Sequence, residues 1–220
     1  MNAIPLQRDD VYYPESDGQP MAETDLHRDE MVDLIHALKR RYRDVPDIYV
    51  TGNLFFYYVQ GDPRAVVAPD VFLVKGVAKR PRNIFKLWEE GRVPSLVIEL
   101  TSDSTRHEDL SKKKLCYERL GIEEYFLHDP YGDYLDPTLQ GFRLVKGRFK
   151  RVDPETDGSL RSLTTDLLLR TEGQSLRLLD ALSGELLLTG DEEVARERTA
   201  RQAAEERAAA LEAELERLRR

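Results

Sequence analysis

The 220 residues suffice for one domain of ordinary size with an appendage, but not for two full domains. Hydrophobic residues make up 40%, enough to build a core, while the 34% that are charged leave a net charge of −8, which counts against tight non-specific binding to nucleic acid. No run of about 18 apolar residues could span a membrane, the start lacks the apolar stretch of a secretion signal, and the single cysteine, Cys116, permits neither an internal disulfide nor a zinc site built on several cysteines; a cytoplasmic location is expected.

Residues 1–20 read as an irregular segment, broken by Pro5, Pro14, Gly18 and Pro20. Residues 21–42 then read as a helix: Thr24 or Asp25 can cap it, Leu26, Met31, Leu34, Ile35 and Leu38 recur at helical spacing, and Lys39, Arg40 and Arg41 suit its last turn. Three strand-like runs follow. Residues 47–60 are rich in β-branched and aromatic side chains and close in a turn at Gly61-Asp62-Pro63. Residues 65–75 form a second run interrupted by Pro69, and residues 95–101 a third, nearly all apolar, as in a central strand covered on both faces. A short helix centred on Phe85, Leu87 and Trp88 is expected between the last two. Residues 103–120 read as a helix capped by Ser104 or Thr105, with Glu108 placed for a capping box and Gly121 as its stop. On it, Leu110, Lys114, Tyr117 and Leu120 share one face, which leaves Lys112 and Lys113 offset towards solvent. A fourth strand over 124–129 ends at Pro130. Hairpins are expected beyond it, pairing 142–145 with 149–152 and 176–179 with 185–188. From Asp191 the chain turns rich in alanine, glutamate and arginine. Val194, Ala204, Ala208, Leu211, Leu215 and Leu218 fall on one seam with Glu197 and Arg201 as flaws, so a solvated single helix and a short dimerising coiled coil both remain open.

Acidic residues occupy telling places in this frame. Glu99 lies inside the apolar run Leu96-Val97-Ile98-Glu99-Leu100, where a carboxylate is costly unless paired or metal-bound. Asp70 follows Pro69 in the preceding strand. Two carboxylates on neighbouring strands can hold Mg²⁺ or Mn²⁺ through oxygen, the ion can activate a water and stabilise charge on a phosphate, and a nearby lysine can assist. The following helix carries Lys112, Lys113 and Lys114.

These residues resemble the PD-(D/E)xK nuclease superfamily, and within it the Uma2 branch of restriction-endonuclease-like proteins (the DUF820 domain). The resemblance rests on AETDLHRDEMVDLIHALKRRY at 22–42, APDVFLV at 68–74 and PSLVIELTSDSTRHEDLSKKKLCYERLGIEEYFLHDP at 94–130. It implies an α/β fold, a mixed central sheet flanked by helices around a restriction-endonuclease-like core, with a C-terminal helical, coiled-coil-like extension. The corresponding domains are 1–20, irregular; 21–190, endonuclease-like; and 191–220, a charged helix. It implies Asp70 and Glu99 as metal ligands for Mg²⁺ or Mn²⁺ and DNA as substrate. The superfamily lysine stands two residues after the acidic residue, where this chain has Thr101. In the Uma2 branch the lysine comes from the next helix in a K-x-x-Y pattern, which implies Lys114 ahead of Tyr117. Glu23, His27 and Lys112 are auxiliary candidates, and Arg80, Arg82 and Lys86 are candidate DNA contacts.

Blander readings stand beside these. Glu99 could be a buried glutamate paired with Arg92, Arg106 or Lys114; His27 a partly exposed helix residue; His128-Asp129 a strand-end cap; and the arginines a solvated face. A triad of Ser102, His107 and Asp109 is rejected, because no nucleophile elbow accompanies it. Two rival functions remain: an inactive nuclease fold that binds DNA or protein and can form a homodimer through its C-terminal helix, and a metal-dependent phosphoesterase for smaller substrates.

Overall fold

The computed structural model describes residues 11–16, 18, 24–102 and 107–219. Helix α1 (Asp25–Arg41) begins where the Thr24 hydroxyl accepts the His27 backbone N–H and ends on Lys39, Arg40 and Arg41, as its spacing predicts. Residues 21–23 and the expected caps Ser104 and Thr105 lie outside the described residues.

The strand expected over 47–60 is instead two, β1 (Ile48–Thr51) and β2 (Phe56–Tyr57). Between them, Gly52 passes against the Asp70 carbonyl, and Asn53 takes φ 47° while its N–H donates to the Pro69 carbonyl at 2.8 Å. Asparagine tolerates that left-handed conformation, and the strand stops there. Pro69 divides the next run into β3 (Val66–Val67) and β4 (Val71–Lys75), which belong to different sheets. β5 (Phe85–Lys86) leads into the single-turn α2 (Leu87–Glu90), followed by β6 (Leu96–Leu100).

The helix expected over 103–120 is not uniformly α. Residues Glu108–Lys113 form a π-helical stretch that passes into α3 (Lys114–Leu120), closed by Gly121 at φ 82°. Then come β7 (Glu124–His128), β8 (Leu139–Val145) and β9 (Arg148–Arg151). β10 (Leu160–Ser162) and β11 (Leu167–Glu172) have no counterpart in the sequence reading. β12 (Ser175–Asp180) pairs along its length with β11, and the expected hairpin with 185–188 is present in short form: Leu179 bridges to Leu186, with the Leu187 N–H donating to the Leu178 carbonyl and the Asp180 N–H to the Glu185 carbonyl, each at 2.8 Å.

The central sheet has the order β1-β4-β6-β7-β8-β9, antiparallel except for the parallel pair β6–β7. Every residue of β6 and β7 is buried, because both faces of the sheet are covered. On one face Leu34 and Leu38 of α1 and Leu169 and Leu178 of the β10-β11-β12 sheet pack with Ile98 and Phe126. On the other, Tyr117 of α3 and Phe56 and Phe85 of the β3-β2-β5 sheet pack with Phe72, Val97 and Tyr125. The molecule is thus a mixed α/β fold, and Glu99 sits in the middle of it.

The chain divides into two compact units, Met1–Leu187 and Leu188–Arg220. The second consists of α4 (Gly190–Leu218), opened by a capping box in which Thr189 accepts the Glu192 N–H and Glu192 accepts the Thr189 N–H. Among the described residues, no helix is long and apolar enough to cross a membrane.

Candidate active site

Pairing of Val71 with Ile98 sets Asp70, just ahead of β4, beside Glu99 on β6. The Asp70 backbone N–H donates to Glu99 Oε2 at 3.3 Å, and Asp70 Oδ2 accepts the Leu100 N–H at 2.7 Å. The other Asp70 oxygen lies 3.4 Å from His27 Nε2 at the start of α1. His27 is therefore a buried residue at the carboxylates, not a partly exposed helix residue. Glu99 has no exposure, and its Oε1 accepts the Tyr117 hydroxyl at 2.5 Å.

The lysine in this cluster is Lys113. Its Nζ is 3.0 Å from Glu99 Oε2 and 3.0 Å from Asp109 Oδ1. Lys114, the lysine that the K-x-x-Y resemblance implies and helical facing supports, points elsewhere: its ammonium lies 3.5 Å from the centroid of the Phe142 ring. The wide turns of the π-helical stretch cause the change. Its i→i+5 bonding shifts the facing of the chain by one residue relative to an α-helix, so Asp109, Lys113 and Tyr117 turn inward while Leu110 is 38% exposed. The Tyr125 hydroxyl, donating to the Asp109 carbonyl at 3.0 Å, holds this stretch against the sheet.

In the sequence Asp109 enters only the rejected triad with Ser102 and His107; its place four residues before Lys113 is the signal that marks it as a partner in this cluster. Lys112 is exposed and Glu23 lies outside the described residues. Thr101, at the usual lysine position, is buried two residues beyond Glu99 and its N–H donates to the His128 carbonyl.

Three carboxylates thus surround one ammonium. Burial, followed by the charges of Asp70 and Asp109, pushes the Glu99 carboxyl up to about 8 against the pull of Lys113. Burial also acts to raise Asp70, but the bond to His27, the charges of Lys113 and His27 and the Leu100 N–H outweigh it and hold Asp70 below the usual aspartate range. Burial opposes the Lys113 charge, and Glu99 and Asp109 more than compensate, raising its pKa.

The candidate nucleic-acid contacts separate in space. Arg80 and Arg82 line a groove of about 580 Å³ with Lys39, Arg43 and Lys79. Arg82 is nearly buried, paired with Glu90 at 2.7 Å and stacked 4.2 Å above the Tyr49 ring, so it braces the groove. Arg80 is largely exposed, while Lys79 caps the end of α1 through the Tyr42 and Arg43 carbonyls. Lys86 lies outside that lining, paired with Glu89 at 2.9 Å. Of the strand-end pair, Asp129 accepts the N–H groups of Tyr131, Gly132, Tyr134 and Leu135 as a turn residue, and His128 Nε2 meets the Gln174 carbonyl at 3.0 Å.

A family model described as "Uma2: Putative restriction endonuclease" matches residues 2–176. The chain belongs to this family. Among solved structures, this Uma2 protein is similar to one titled "Crystal structure of a putative nuclease belonging to DUF820 from Anabaena variabilis ATCC 29413", at 15% identity over 70% of this chain and 86% of that one, with a TM-score of 0.49. No curated protein matches it.

The donor set of the cluster is hard: Asp70, just ahead of β4, and Glu99 on the neighbouring β6 offer carboxylate oxygens, which suits Mg²⁺ or Mn²⁺ and not a thiolate-seeking metal. Among the described residues no group of three or more His, Cys, Asp and Glu side chains is arranged to hold a metal. Two carboxylates with water in the remaining positions is the way Mg²⁺ is commonly bound.

Proposed function

We propose that this Uma2 protein is a metal-dependent nuclease that hydrolyses phosphodiester bonds in DNA, with Asp70 and Glu99 holding Mg²⁺ or Mn²⁺ and Lys113 assisting. The observation that carries the reading is the half-buried Lys113 ammonium, 3.0 Å from Glu99, beside the paired carboxylates Asp70 and Glu99 in a chain with no basic character overall. Bound Mg²⁺ or Mn²⁺ would supply a Lewis acid for the phosphate and a water of lowered pKa.

The chain's own residues do the rest. Tyr117 and Lys113 fix the two oxygens of Glu99, and His27 and the Leu100 N–H fix those of Asp70. Held this way, the carboxylates need little reorganisation during reaction. Lys113 is anchored between two carboxylates, so it serves as a cation that donates a hydrogen bond, to the attacking water or to a phosphate oxygen, and not as a base. The basic groove by the end of α1 supplies contacts for the phosphate backbone that the net charge of −8 does not.

Isothermal titration of the intact chain with Mn²⁺ tests the ligand assignment. One site is expected in the wild type, weakened by at least about tenfold in Asp70→Asn and in Glu99→Gln, a range seen on losing groups that support a metal. Wild-type affinity in both variants would overturn it.

A further inference from the structure

Glu99 has no exposure and the Asp109 side chain about 1%, whereas Asp70 and Lys113 retain 13% and 16%. One approach to the cluster is therefore the side on which Lys113 reaches solvent. That side is a cleft of about 630 Å³, walled by Phe55, Tyr57, Tyr58 and Val67 and bordered by Lys112 and Lys113. Ala68, two residues before Asp70, lies in the same wall. Lys113 is thus a partner of Glu99 and a wall of the cleft at once.

The chemistry of the walls is specific. Tyr57 is almost fully buried and fixed, its hydroxyl donating to the Pro14 carbonyl at 2.6 Å and its ring edge-on to Tyr13 at 5.0 Å and to Phe55 at 6.1 Å. Phe55 and Tyr58 are partly exposed. Flat, rigid rings beside two lysines match a nucleobase and its phosphate: base–aromatic stacking is tolerant of sequence, and cations follow the backbone. A base inside a duplex offers only its edge, its faces being covered by its neighbours, so a ring-walled cleft of small-molecule size admits a base only when it is unpaired.

We infer that this cleft binds an unpaired nucleobase, so that the cluster acts on single-stranded or locally opened nucleic acid, with Phe55 and Tyr58 as stacking residues and Lys112 as a phosphate contact. The inference rests on the nucleic-acid reading above and narrows its substrate.

Fluorescence anisotropy of the full chain in EDTA tests it apart from cleavage. The probes are a labelled oligothymidylate of about ten nucleotides, within the usual site sizes, and a hairpin duplex of matching length. The oligothymidylate is expected to bind at least about tenfold more tightly, with Phe55→Ala and Tyr58→Ala each weakening it about tenfold while Tyr58→Phe does not. Should the alanine variants fail to fold, the exposed Lys112→Glu decides: reduced single-strand affinity is expected. Equal affinity for both probes, no binding of the oligothymidylate, or single-strand affinity unchanged in folded variants would overturn the inference. Duplex cleavage without single-strand preference would sink this inference alone. Single-strand preference with neither metal binding nor cleavage would sink the nuclease reading and leave the cleft as a binding site.

Discussion

Gly52 lacks a side chain at the one place where the edge strand crosses behind Asp70. A Cβ there would lie 1.8 Å from the Asp70 carbonyl oxygen and 2.7 Å from Ile35 Cδ1, so either β1 or the Asp70 backbone would have to move. Gly52→Ala is therefore expected to lower stability by about 2 kcal/mol, in the range of overpacked interiors, and to weaken Mn²⁺ binding as Asp70 shifts. Urea unfolding and the Mn²⁺ titration check this together, and wild-type values in both would contradict it. At the same scale, Glu99 was legible in the sequence because a carboxylate inside an apolar strand calls for a partner. Lys113 was not, because the K-x-x-Y pattern and α-helical facing through Leu110 both point to Lys114, and facing depends on backbone bonding that side-chain pattern does not report. His27 was legible only as a candidate. Nothing in its own helix says that its ring reaches a carboxylate 43 positions later in the chain.

Among the elements, β7 is tied to its surroundings through Glu124. This buried carboxylate accepts from Arg143 on β8 at 2.8 Å, from the Ser162 hydroxyl at the end of β10, and from the Leu163 N–H and Thr164 hydroxyl just after it, so it clamps the central sheet to the β10-β11-β12 sheet. Burial acts to raise its pKa, but the hydroxyls, the N–H and Arg143 outweigh that and hold it below the usual glutamate range. A depressed folded pKa means that the stability it contributes is present above the ordinary glutamate pKa, about 4.3, and is lost as pH falls through the lower folded value. Glu124→Gln should thus cost about 2 kcal/mol at pH 7, with the difference from wild type shrinking below about pH 4. Chemical unfolding across pH checks the sign, and a difference independent of pH would contradict it. Two strands of the same region are not visible in the side-chain pattern. In β11, leucines at 167, 168 and 169 hide the alternation that burial reveals, and β10 is only three residues long with Arg161 exposed between two buried residues. Their strand character comes from pairing with each other and β12, which is non-local information. β6, by contrast, was legible because burial on both faces leaves a continuous apolar run.

For the whole molecule, the acidic balance and the basic groove belong together. Five cationic side chains line the groove in a chain that carries −8 overall, so positive charge is gathered at one place. Part of that gathering serves the fold, since Lys79 caps α1 and Arg82 pairs with Glu90. α4 was legible from composition, since the segment from Asp191 is rich in alanine, glutamate and arginine with no proline; the capping box at Thr189 and Glu192 sets where it starts. Its seam residues Leu211, Leu215 and Leu218 are exposed in the single chain.

The paired carboxylates and Lys113 are proposed to form one hydrolytic centre. The most direct measurement is DNA cleavage with Mg²⁺ or Mn²⁺ at low salt, on both single-stranded and plasmid substrates, comparing wild type with Glu99→Gln, Lys113→Ala and Lys114→Ala. Cleavage by the wild type is expected, reduced by about a hundredfold or more in Glu99→Gln and in Lys113→Ala, as on losing a preorganised transition-state contact, and left within a few-fold by Lys114→Ala. Cleavage that survives in Lys113→Ala but is lost in Lys114→Ala, or no cleavage of either substrate by the wild type with either ion, would contradict it.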